Sequence, residues 1–365
     1  MFYEKELSAL KRAGRYRSRE VVDTALADFA SNDYLGLSHN KELHEQTCKT
    51  LSKLPLHSSK ASLLVNGYHQ IHKDFEDALC AANSFEDAVI VGSGFNANIA
   101  LIEALVRRED ILFMDEKYHA SGVLASNLNG IDVLFFKHNN MQELKELLEH
   151  SHAKRKVVAV EGVYSMDGDL CSQEVFEICK RNDTLLIVDE AHSSGVIGEN
   201  LMGIFDYYDI AIESNHIKMG TLGKAYGSFG AYILASKHII EYLINRAKPL
   251  IYATALSLYD TLLAHNSLKF MQHNRVSLHE QIQKRQKIVE EKLGVKVNAL
   301  IVPLLVDDNK KVMQIKESLR KEGYAVGAIR QPTVEKAIIR LIARLGQSEE
   351  ELRVLCEKLA PFVIK

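Results

Sequence analysis

Cysteine pairs and a surplus of charge are both missing from this sequence of 365 residues. The five cysteines lie far apart and none forms a C-x-x-C pair, which argues against a zinc ribbon or a thioredoxin-like site. We therefore expect no metal, and the odd number of scattered thiols fits a reducing compartment better than a disulfide framework. The formal net charge is −3, so charge gives no reason to expect binding to nucleic acid or to an anionic membrane.

Long apolar runs are missing as well. No stretch reaches the roughly 18 consecutive apolar residues that a membrane-spanning helix needs. The segment Met1–Arg19 carries too many charges for a secretory signal peptide. These absences predict a cytoplasmic protein. Residues 1–20 are predicted to form a helix whose basic residues, Lys11 to Arg19, face water or, alternatively, bind a partner.

What remains is an ordinary globular composition, 47% hydrophobic and 25% charged, in a chain long enough for two or three domains. From about residue 70, short apolar segments alternate with helical ones. Strands that are apolar on both faces and separated by helices are typical of a largely parallel sheet covered on both sides. The predicted strands are 88–91, 111–114, 133–136, 157–161, 185–188, 210–213 and 230–234.

The pattern changes around Pro249. A long helical stretch is predicted over 257–293, and strands and helices then alternate to residue 359. This pattern indicates a smaller α+β domain with a mainly antiparallel sheet. We therefore predict an N-terminal helical and extended segment over 1–44, a large α/β domain over 45–255 and a small C-terminal α+β domain over 256–365.

Three segments carry the residues that suggest chemistry. Gly92–Asn98 follows a strand and opens a helix, where glycines and free N–H groups favour an anion. Asp189 directly follows an apolar strand, at the sheet edge where ligands of open α/β sheets bind. Lys224 lies in the glycine-rich loop Lys218–Gly227. An aldehyde cofactor with a phosphate needs what these segments offer: an amine for a Schiff base, an acid for its pyridinium nitrogen, and donors for the phosphate.

Each segment alone has a plainer interpretation. The glycine segment fits a structural turn, Asp189 fits a helix N-cap, and Lys224 fits a solvated surface lysine. The occurrence of all three, in this order, within one predicted domain is what favours a cofactor site.

Six motifs occur in the order typical of one enzyme family. They are Phe29–Leu37, Gly92–Asn98, Asp115–Ser121, Glu161–Asp169, Val188–His192 and Thr221–Gly227. With them the sequence resembles, over nearly its whole length, the α-oxoamine synthases, a branch of the aspartate-aminotransferase-like (fold type I) pyridoxal-phosphate enzymes. The likeness is greatest to the branch that serves biotin synthesis. The resemblance implies a large, mostly parallel-sheet domain and a smaller C-terminal α+β domain.

The resemblance also implies pyridoxal 5′-phosphate as the cofactor. Lys224 would form the Schiff base and then act as a base at the substrate Cα. Asp189 would pair with the pyridinium nitrogen, and His119, otherwise a capping or core histidine, would stack on the ring. The remaining contacts would come from His192 and Ser165 at the phenolic oxygen, and from Gly94, Phe95 and Thr221 at the phosphate. Thr254 would reach the phosphate of the neighbouring subunit in a homodimer.

For the substrates, the resemblance implies that Arg340 holds the amino-acid carboxylate, because a guanidinium offers two parallel donors. Asn32 would meet the same substrate or the acyl chain. The amino acid would be L-alanine, and the acyl thioester would be carried by coenzyme A or by an acyl carrier protein, for which Lys11 to Arg19 is a candidate docking surface. The loop 58–64 departs from the family's glycine- and serine-rich pattern and has leucine where an arginine is common. The resemblance therefore does not indicate which residues bind the acyl group.

Two alternatives stay open at this point. Other α-oxoamine synthases, such as glycine C-acetyltransferase, 5-aminolevulinate synthase or a synthase of a signalling aminoketone, would share every cofactor residue. A non-catalytic binding protein would share the fold but has no need for Lys224, Asp189 and His119 together.

Overall fold

The structure is a computed structural model that describes residues 2–362. Its helices are α1 (Glu4–Arg12), α2 (Lys41–Leu51), α3 (Gln70–Asn83), α4 (Gly94–Leu105), α5 (Ala120–Asn129), α6 (Met141–His150), α7 (Glu174–Arg181), α8 (Ile204–Tyr207), α9 (Lys237–Arg246), α10 (Lys248–Ile251), α11 (Leu258–His273), α12 (Arg275–Leu293), α13 (Asn309–Lys321) and α14 (Glu349–Leu359). Its strands are β1 (Ala27–Phe29), β2 (Asp87–Val91), β3 (Ile111–Asp115), β4 (Asp132–Phe136), β5 (Lys156–Glu161), β6 (Leu185–Asp189), β7 (His216–Thr221), β8 (Ala231–Ala235), β9 (Ile301–Leu305), β10 (Tyr324–Ile329) and β11 (Ile338–Ile342). Among these helices, none is both long and apolar enough to cross a bilayer.

The larger sheet confirms the predicted α/β class. Within residues 2–362 it has seven strands in the order β2-β8-β7-β6-β5-β3-β4. The pairs from β7 to β4 are all parallel, and β8 pairs antiparallel with both β2 and β7. The carboxyl ends of β3, β5, β6 and β7 therefore lie along one edge of the sheet, where an open α/β sheet binds its ligands.

Helices cover both faces of this sheet. On β5, Val158 and Val160 belong to one buried cluster, which also contains side chains of α6 and α7. Val157 and Ala159 point the other way, into a cluster with side chains of α4, α5 and α9. Because alternate residues of a strand face opposite sides, a strand buried on both faces must be apolar throughout. Each large aliphatic side chain buried in this way contributes about 1.5–3 kcal/mol.

The smaller sheet combines both ends of the chain. Its order among the described strands is β1-β10-β11-β9, with β1 parallel to β10 and the other pairs antiparallel. The strand β1 from the N-terminal segment thus completes a sheet that otherwise belongs to the C-terminal domain. This arrangement places the segment after β1 next to β11 and brings Asn32 near Arg340.

Three predicted elements differ in the structure. Residues 210–213 form no strand. The strand of this region is β7, in which His216 and Lys218 interrupt the apolar pattern of a buried strand. Both side chains are buried, and the Lys218 Nζ lies 3.8 Å from the carboxylate of Glu190. The helix predicted over 257–293 is two helices, α11 and α12, separated at Asn274, whose amide donates to the carbonyl of Phe270. The helix predicted over 1–20 is confined to α1.

Candidate active site

The predicted acid and amine both lie at the carboxyl edge of the larger sheet. Asp189 ends β6, and its register partner on the parallel strand β5 is Glu161. Lys224 follows the end of β7, the neighbouring strand on the other side. The site is therefore assembled from consecutive strand ends. The sequence identified the end of β6 by its apolar run into Asp189, and Lys224 by its glycine-rich loop.

Asp189 is held rigidly by buried partners. Its carboxylate accepts a hydrogen bond from the Asn98 amide nitrogen at 2.9 Å and from the backbone N–H of Ala191 at 3.0 Å. The same amide nitrogen of Asn98 donates to Ser121 Oγ at 3.0 Å, and the Asn98 oxygen accepts from the Tyr118 hydroxyl at 2.6 Å. Because all these groups are buried, the orientation of the Asp189 carboxylate is fixed before any ligand arrives.

Lys224 directs its amine at a histidine. Its Nζ lies 2.8 Å from Nε2 of His192. Burial lowers the pKa of Lys224 to about 8, although the charges of Asp189 and Glu161 oppose that shift, and the charge of Arg340 adds to it. A lysine with so low a pKa is largely neutral in mildly alkaline solution, and only the neutral amine is nucleophilic.

A short chain of hydrogen bonds continues from Lys224 through His192. Burial holds the pKa of His192 well below its usual range, so the imidazole is neutral. Its Nδ1 lies 2.5 Å from the hydroxyl of Tyr34, which donates in turn to the Asn32 side-chain oxygen at 3.4 Å. One tautomer of His192 satisfies all three hydrogen bonds: Lys224 donates to Nε2, and the Nδ1–H group donates to the Tyr34 hydroxyl, which donates to Asn32.

His119 fills the capping role that the sequence left as an alternative to stacking on a cofactor ring. Its Nδ1 accepts from the backbone N–H of Ser121 at 3.3 Å and lies 2.7 Å from that residue's hydroxyl, so it caps α5. Loss of hydration lowers the pKa of His119, the charge of Asp189 raises it, and the charge of Lys224 lowers it further. The ring is thus close enough to both predicted cofactor residues for their charges to act on it.

Arg340 and Ser165 join the small sheet to the site. The buried guanidinium of Arg340, on β11, donates through Nε to the carbonyl of Ser165 at 2.7 Å. It also donates through Nη1 to the side-chain oxygen of Asn32 at 2.9 Å. Arginine has five N–H donors, and these two bonds leave donors for a carboxylate. The structure therefore brings both predicted substrate residues, Asn32 and Arg340, into direct contact.

The predicted phosphate residues lie at the start of α4. Ser93 caps this helix by accepting from the N–H of Asn96, and the N–H groups of Gly94 and Phe95 are in the first turn, where a helix offers no carbonyl to them. A Cβ atom on Gly94 would lie 3.7 Å from the Cβ of Thr221, so the two loops meet. The Thr221 hydroxyl donates to the carbonyl of Gly230 at 3.1 Å.

Thr254 occupies a different environment. It is exposed, and its backbone forms an antiparallel bridge with Ser62, while the N–H of Ala255 donates to the carbonyl of Ala61 at 3.0 Å. The segment therefore lies beside the atypical loop 58–64. Its predicted contact with the phosphate of a neighbouring subunit stays a prediction.

Two buried polar residues of the site were given no role from the sequence, in addition to Tyr34. Asn98 orients Asp189, as described above. Glu161 is fully buried, and its Oε2 accepts from the N–H of Ser165 at 2.8 Å, whereas its Oε1 has no partner among the described residues. Burial and the nearby charge of Asp189 raise the pKa of Glu161 well above its usual range. A signal was available, because Glu161, like Asp189, ends an apolar strand.

One sizeable cavity lies away from these residues. A space of about 610 Å³ lies at the carboxyl ends of α4 and α9 and is lined by Arg107, Arg108, Arg246 and Lys248 among others. None of the predicted site residues lines it. The polar cluster around Lys224, and not the size of a cavity, therefore defines the candidate active site.

Known proteins resemble the chain over nearly its full length. The model of the family described as aminotransferase class I and II matches residues 24–359. The chain is 42% identical over 362 residues to 8-amino-7-oxononanoate synthase of Helicobacter pylori strain J99, an alignment that covers 99% of this chain and 97% of that protein. It is 38% identical over 363 residues to the putative 8-amino-7-oxononanoate synthase of Aquifex aeolicus, with 96% of each chain covered.

Solved structures show the same architecture. Serine palmitoyltransferase of Sphingomonas wittichii is similar with a TM-score of 0.89 at 22% identity, covering 99% of this chain and 98% of that one. 8-Amino-7-oxononanoate synthase of Francisella tularensis is similar with a TM-score of 0.77 at 27% identity, covering 93% and 98% of the two chains. The first likeness shows the fold, which is the fold type I arrangement predicted from the sequence.

Proposed function

The chain belongs to the aminotransferase class I and II family, and from that premise we propose that it is an 8-amino-7-oxononanoate synthase. In the proposed reaction, L-alanine and a pimeloyl thioester form 8-amino-7-oxononanoate, and carbon dioxide and the free thiol are released. The observation that carries the proposal is the meeting of Lys224, His192 and Asp189 in one buried cluster, in a chain so similar to curated synthases.

Pyridoxal 5′-phosphate is the cofactor of this enzyme. The residues present fit it. Lys224 offers an amine of lowered pKa, Asp189 offers a fixed carboxylate, and the first turn of α4 offers free N–H groups. The unpartnered Oε1 of Glu161 adds a buried polar atom that still needs a partner. When bound, the cofactor supplies an aldehyde that links to amines and a ring that withdraws electrons from the amino-acid Cα.

The chain's own residues then hold the substrate and move the proton. Lys224 is the proposed base that takes the Cα proton, and its contact with neutral His192 keeps the amine oriented. Arg340 is the proposed carboxylate holder, because its remaining guanidinium donors lie next to Asn32. Asp189 is the proposed partner of the ring nitrogen, where a negative charge keeps a proton bound.

The lowered pKa of Lys224 predicts how cofactor capture depends on pH. Above about pH 8 the amine is neutral and reacts, whereas below pH 8 it is protonated, so the capture rate of the apoenzyme should fall nearly tenfold per pH unit. Stopped-flow absorbance of apoenzyme mixed with pyridoxal phosphate measures this rate. A simple alkylamine serves as the control, because its ordinary pKa keeps its rate rising well beyond pH 8. A capture rate that rises with the alkylamine's profile would contradict the prediction.

Two partner assignments belong to the proposal. A homodimer is supported by exposed apolar side chains around the loop that pairs with Thr254, among them Val65 and Tyr252, which are 77% and 78% exposed. An acyl carrier protein as donor is supported by the exposed basic residues of Lys11 to Arg19, because a basic surface steers association with a partner of opposite charge.

A panel of substrates tests the proposed function. Alanine, glycine and serine are each combined with acetyl, succinyl and pimeloyl thioesters, with the pimeloyl group on both coenzyme A and an acyl carrier protein. We expect alanine with a pimeloyl thioester to exceed the other pairs by at least about 10-fold in kcat/KM, since one methyl group in an apolar pocket discriminates by about 10–200-fold. Preference for glycine or serine would instead assign the chain to another synthase of the same branch.

A further inference from the structure

A histidine outside the six motifs bridges two carboxylates. His138 lies between β4 and α6, with Nδ1 3.0 Å from an oxygen of Asp115 and Nε2 2.8 Å from an oxygen of Asp169. Carboxylates only accept hydrogen bonds, so both ring nitrogens carry protons when both contacts are made. The ring is therefore an imidazolium that links the end of β3 to the loop after β5.

The bridge is supported on every side. Asp115 is fully buried and also accepts the backbone N–H groups of Lys117 and Asn139, both at 2.9 Å. The side-chain amide nitrogen of Asn139 donates to the carboxylate of Asp169 at 3.0 Å. The ring of Tyr164 packs edge-on against His138, with ring centres 4.3 Å apart.

The surrounding charges favour the protonated form. Burial alone would lower the pKa of His138, but the hydrogen bonds to Asp115 and Asp169 and their charges raise it to about 9. On the neighbouring elements, Glu116 accepts the backbone N–H of His138 at 3.1 Å, and Lys117 pairs with Asp167 at 2.8 Å. At neutral pH the bridge is therefore complete, and above about pH 9 the ring loses one of its two N–H donors.

The two ends of the bridge belong to the loops that carry site residues. Asp115 precedes His119 by one short turn, and the N–H of Tyr118 donates to the Asp115 carbonyl at 2.9 Å. Asp169 closes the turn that holds Ser165, because its carbonyl accepts from the N–H of Tyr164 at 2.9 Å. Movement of either carboxylate would therefore displace His119 or Ser165.

We propose that His138 is a positioning residue of the active site. Its imidazolium, hydrogen-bonded through both ring nitrogens, holds the His119 loop against the Ser165 loop. The proposal rests on the proposed function, because it needs those loops to contact the cofactor. It predicts that cofactor affinity weakens when the ring is neutral or absent, even though His138 is not among the residues proposed to contact the cofactor or the substrate.

The substitution His138→Gln tests the proposal, because glutamine cannot donate from two opposite sides. We expect folded variant protein whose Kd for pyridoxal phosphate is raised about 10-fold at pH 7.5, as measured by equilibrium titration of the visible absorbance. In the unaltered protein the Kd should rise above pH 9, and in the variant this rise should be missing. A merely structural role would lower Tm without changing the pH profile of the Kd.

Controls separate this proposal from its premise. His152→Gln alters an exposed histidine and should leave the Kd and its pH profile unchanged. Should His138→Gln fail to fold, Asp169→Asn removes the acceptor charge with the ring in place, and it should likewise raise the Kd and flatten the profile. An unchanged Kd and profile in a folded variant would overturn the positioning role. If the unaltered protein bound no pyridoxal phosphate at all, the proposed function itself would be wrong.

Discussion

Replacing Lys224 by alanine is expected to abolish turnover and the visible absorbance that covalently held pyridoxal phosphate gives to the protein. The substitution removes the amine that is proposed to attach the cofactor and to act as the base at the substrate Cα. Loss of a positioned base alone costs about 10²–10⁴-fold in rate, so we expect kcat/KM to fall at least about 10³-fold. Absorbance spectra and the alanine–pimeloyl assay measure the two losses separately.

Two other lysines make the result specific. Lys284→Ala changes an exposed residue of α12 and should retain both absorbance and turnover. Lys218, six residues before Lys224, is fully buried, and its Nζ donates to the Asn83 side-chain oxygen at 2.7 Å and lies beside Glu190. The Lys218 amine is therefore held by these buried partners and is not free to bind the cofactor. Yellow, active Lys224→Ala protein would show that another amine holds the cofactor.

Replacing Asp189 by asparagine is expected to lower kcat at least about 100-fold with little change of shape. Asparagine fills the same volume and can still accept the hydrogen bond from Asn98, but it carries no negative charge to keep the ring nitrogen protonated. The same charge raises the pKa of Lys224, so its removal should move the midpoint of cofactor capture from about pH 8 to a lower pH. Steady-state kinetics and the capture profile measure the two effects.

The matched control for this substitution is Asp183→Asn. Asp183 is exposed and has a positive φ of 47°, a conformation that asparagine tolerates well. Its replacement should change neither kcat nor the capture midpoint. If Asp189→Asn kept full kcat and the same midpoint, Asp189 would not be the partner of the ring nitrogen.

The sequence predicted those parts of the fold and the site that depend on neighbouring residues. Apolar strands that lead directly into Asp189, and a glycine-rich segment that opens α4 at Gly94, are local patterns with a direct physical cause. Parallel strands then place their ends at one edge, so the order of motifs along the chain was enough to predict a common site. The strand β3, predicted over 111–114, ends only one residue later, at Asp115.

Contacts between distant residues were beyond such reasoning. Tyr34 and His192 are 158 positions apart, and their contact depends on how the segment after β1 packs against the loop after β6. The strand β7 was missed because Lys218 is stabilised in the interior by Asn83 and Glu190, which come from other parts of the chain. His138 gave no signal because a histidine between β4 and α6 resembles any loop residue until Asp115 and Asp169 are placed beside it.

The parallel pairing of β1 with β10 sets an order for the maturation of this protein. Ala27 is synthesised long before its register partner Tyr324. The seven-stranded layer needs only residues up to Ala235, so it is free to assemble while the C-terminal part is still being synthesised. Asn32 and Arg340 form their hydrogen bond only after β1 has paired with β10. A nascent chain would therefore acquire the means to hold the cofactor before the means to select an amino acid.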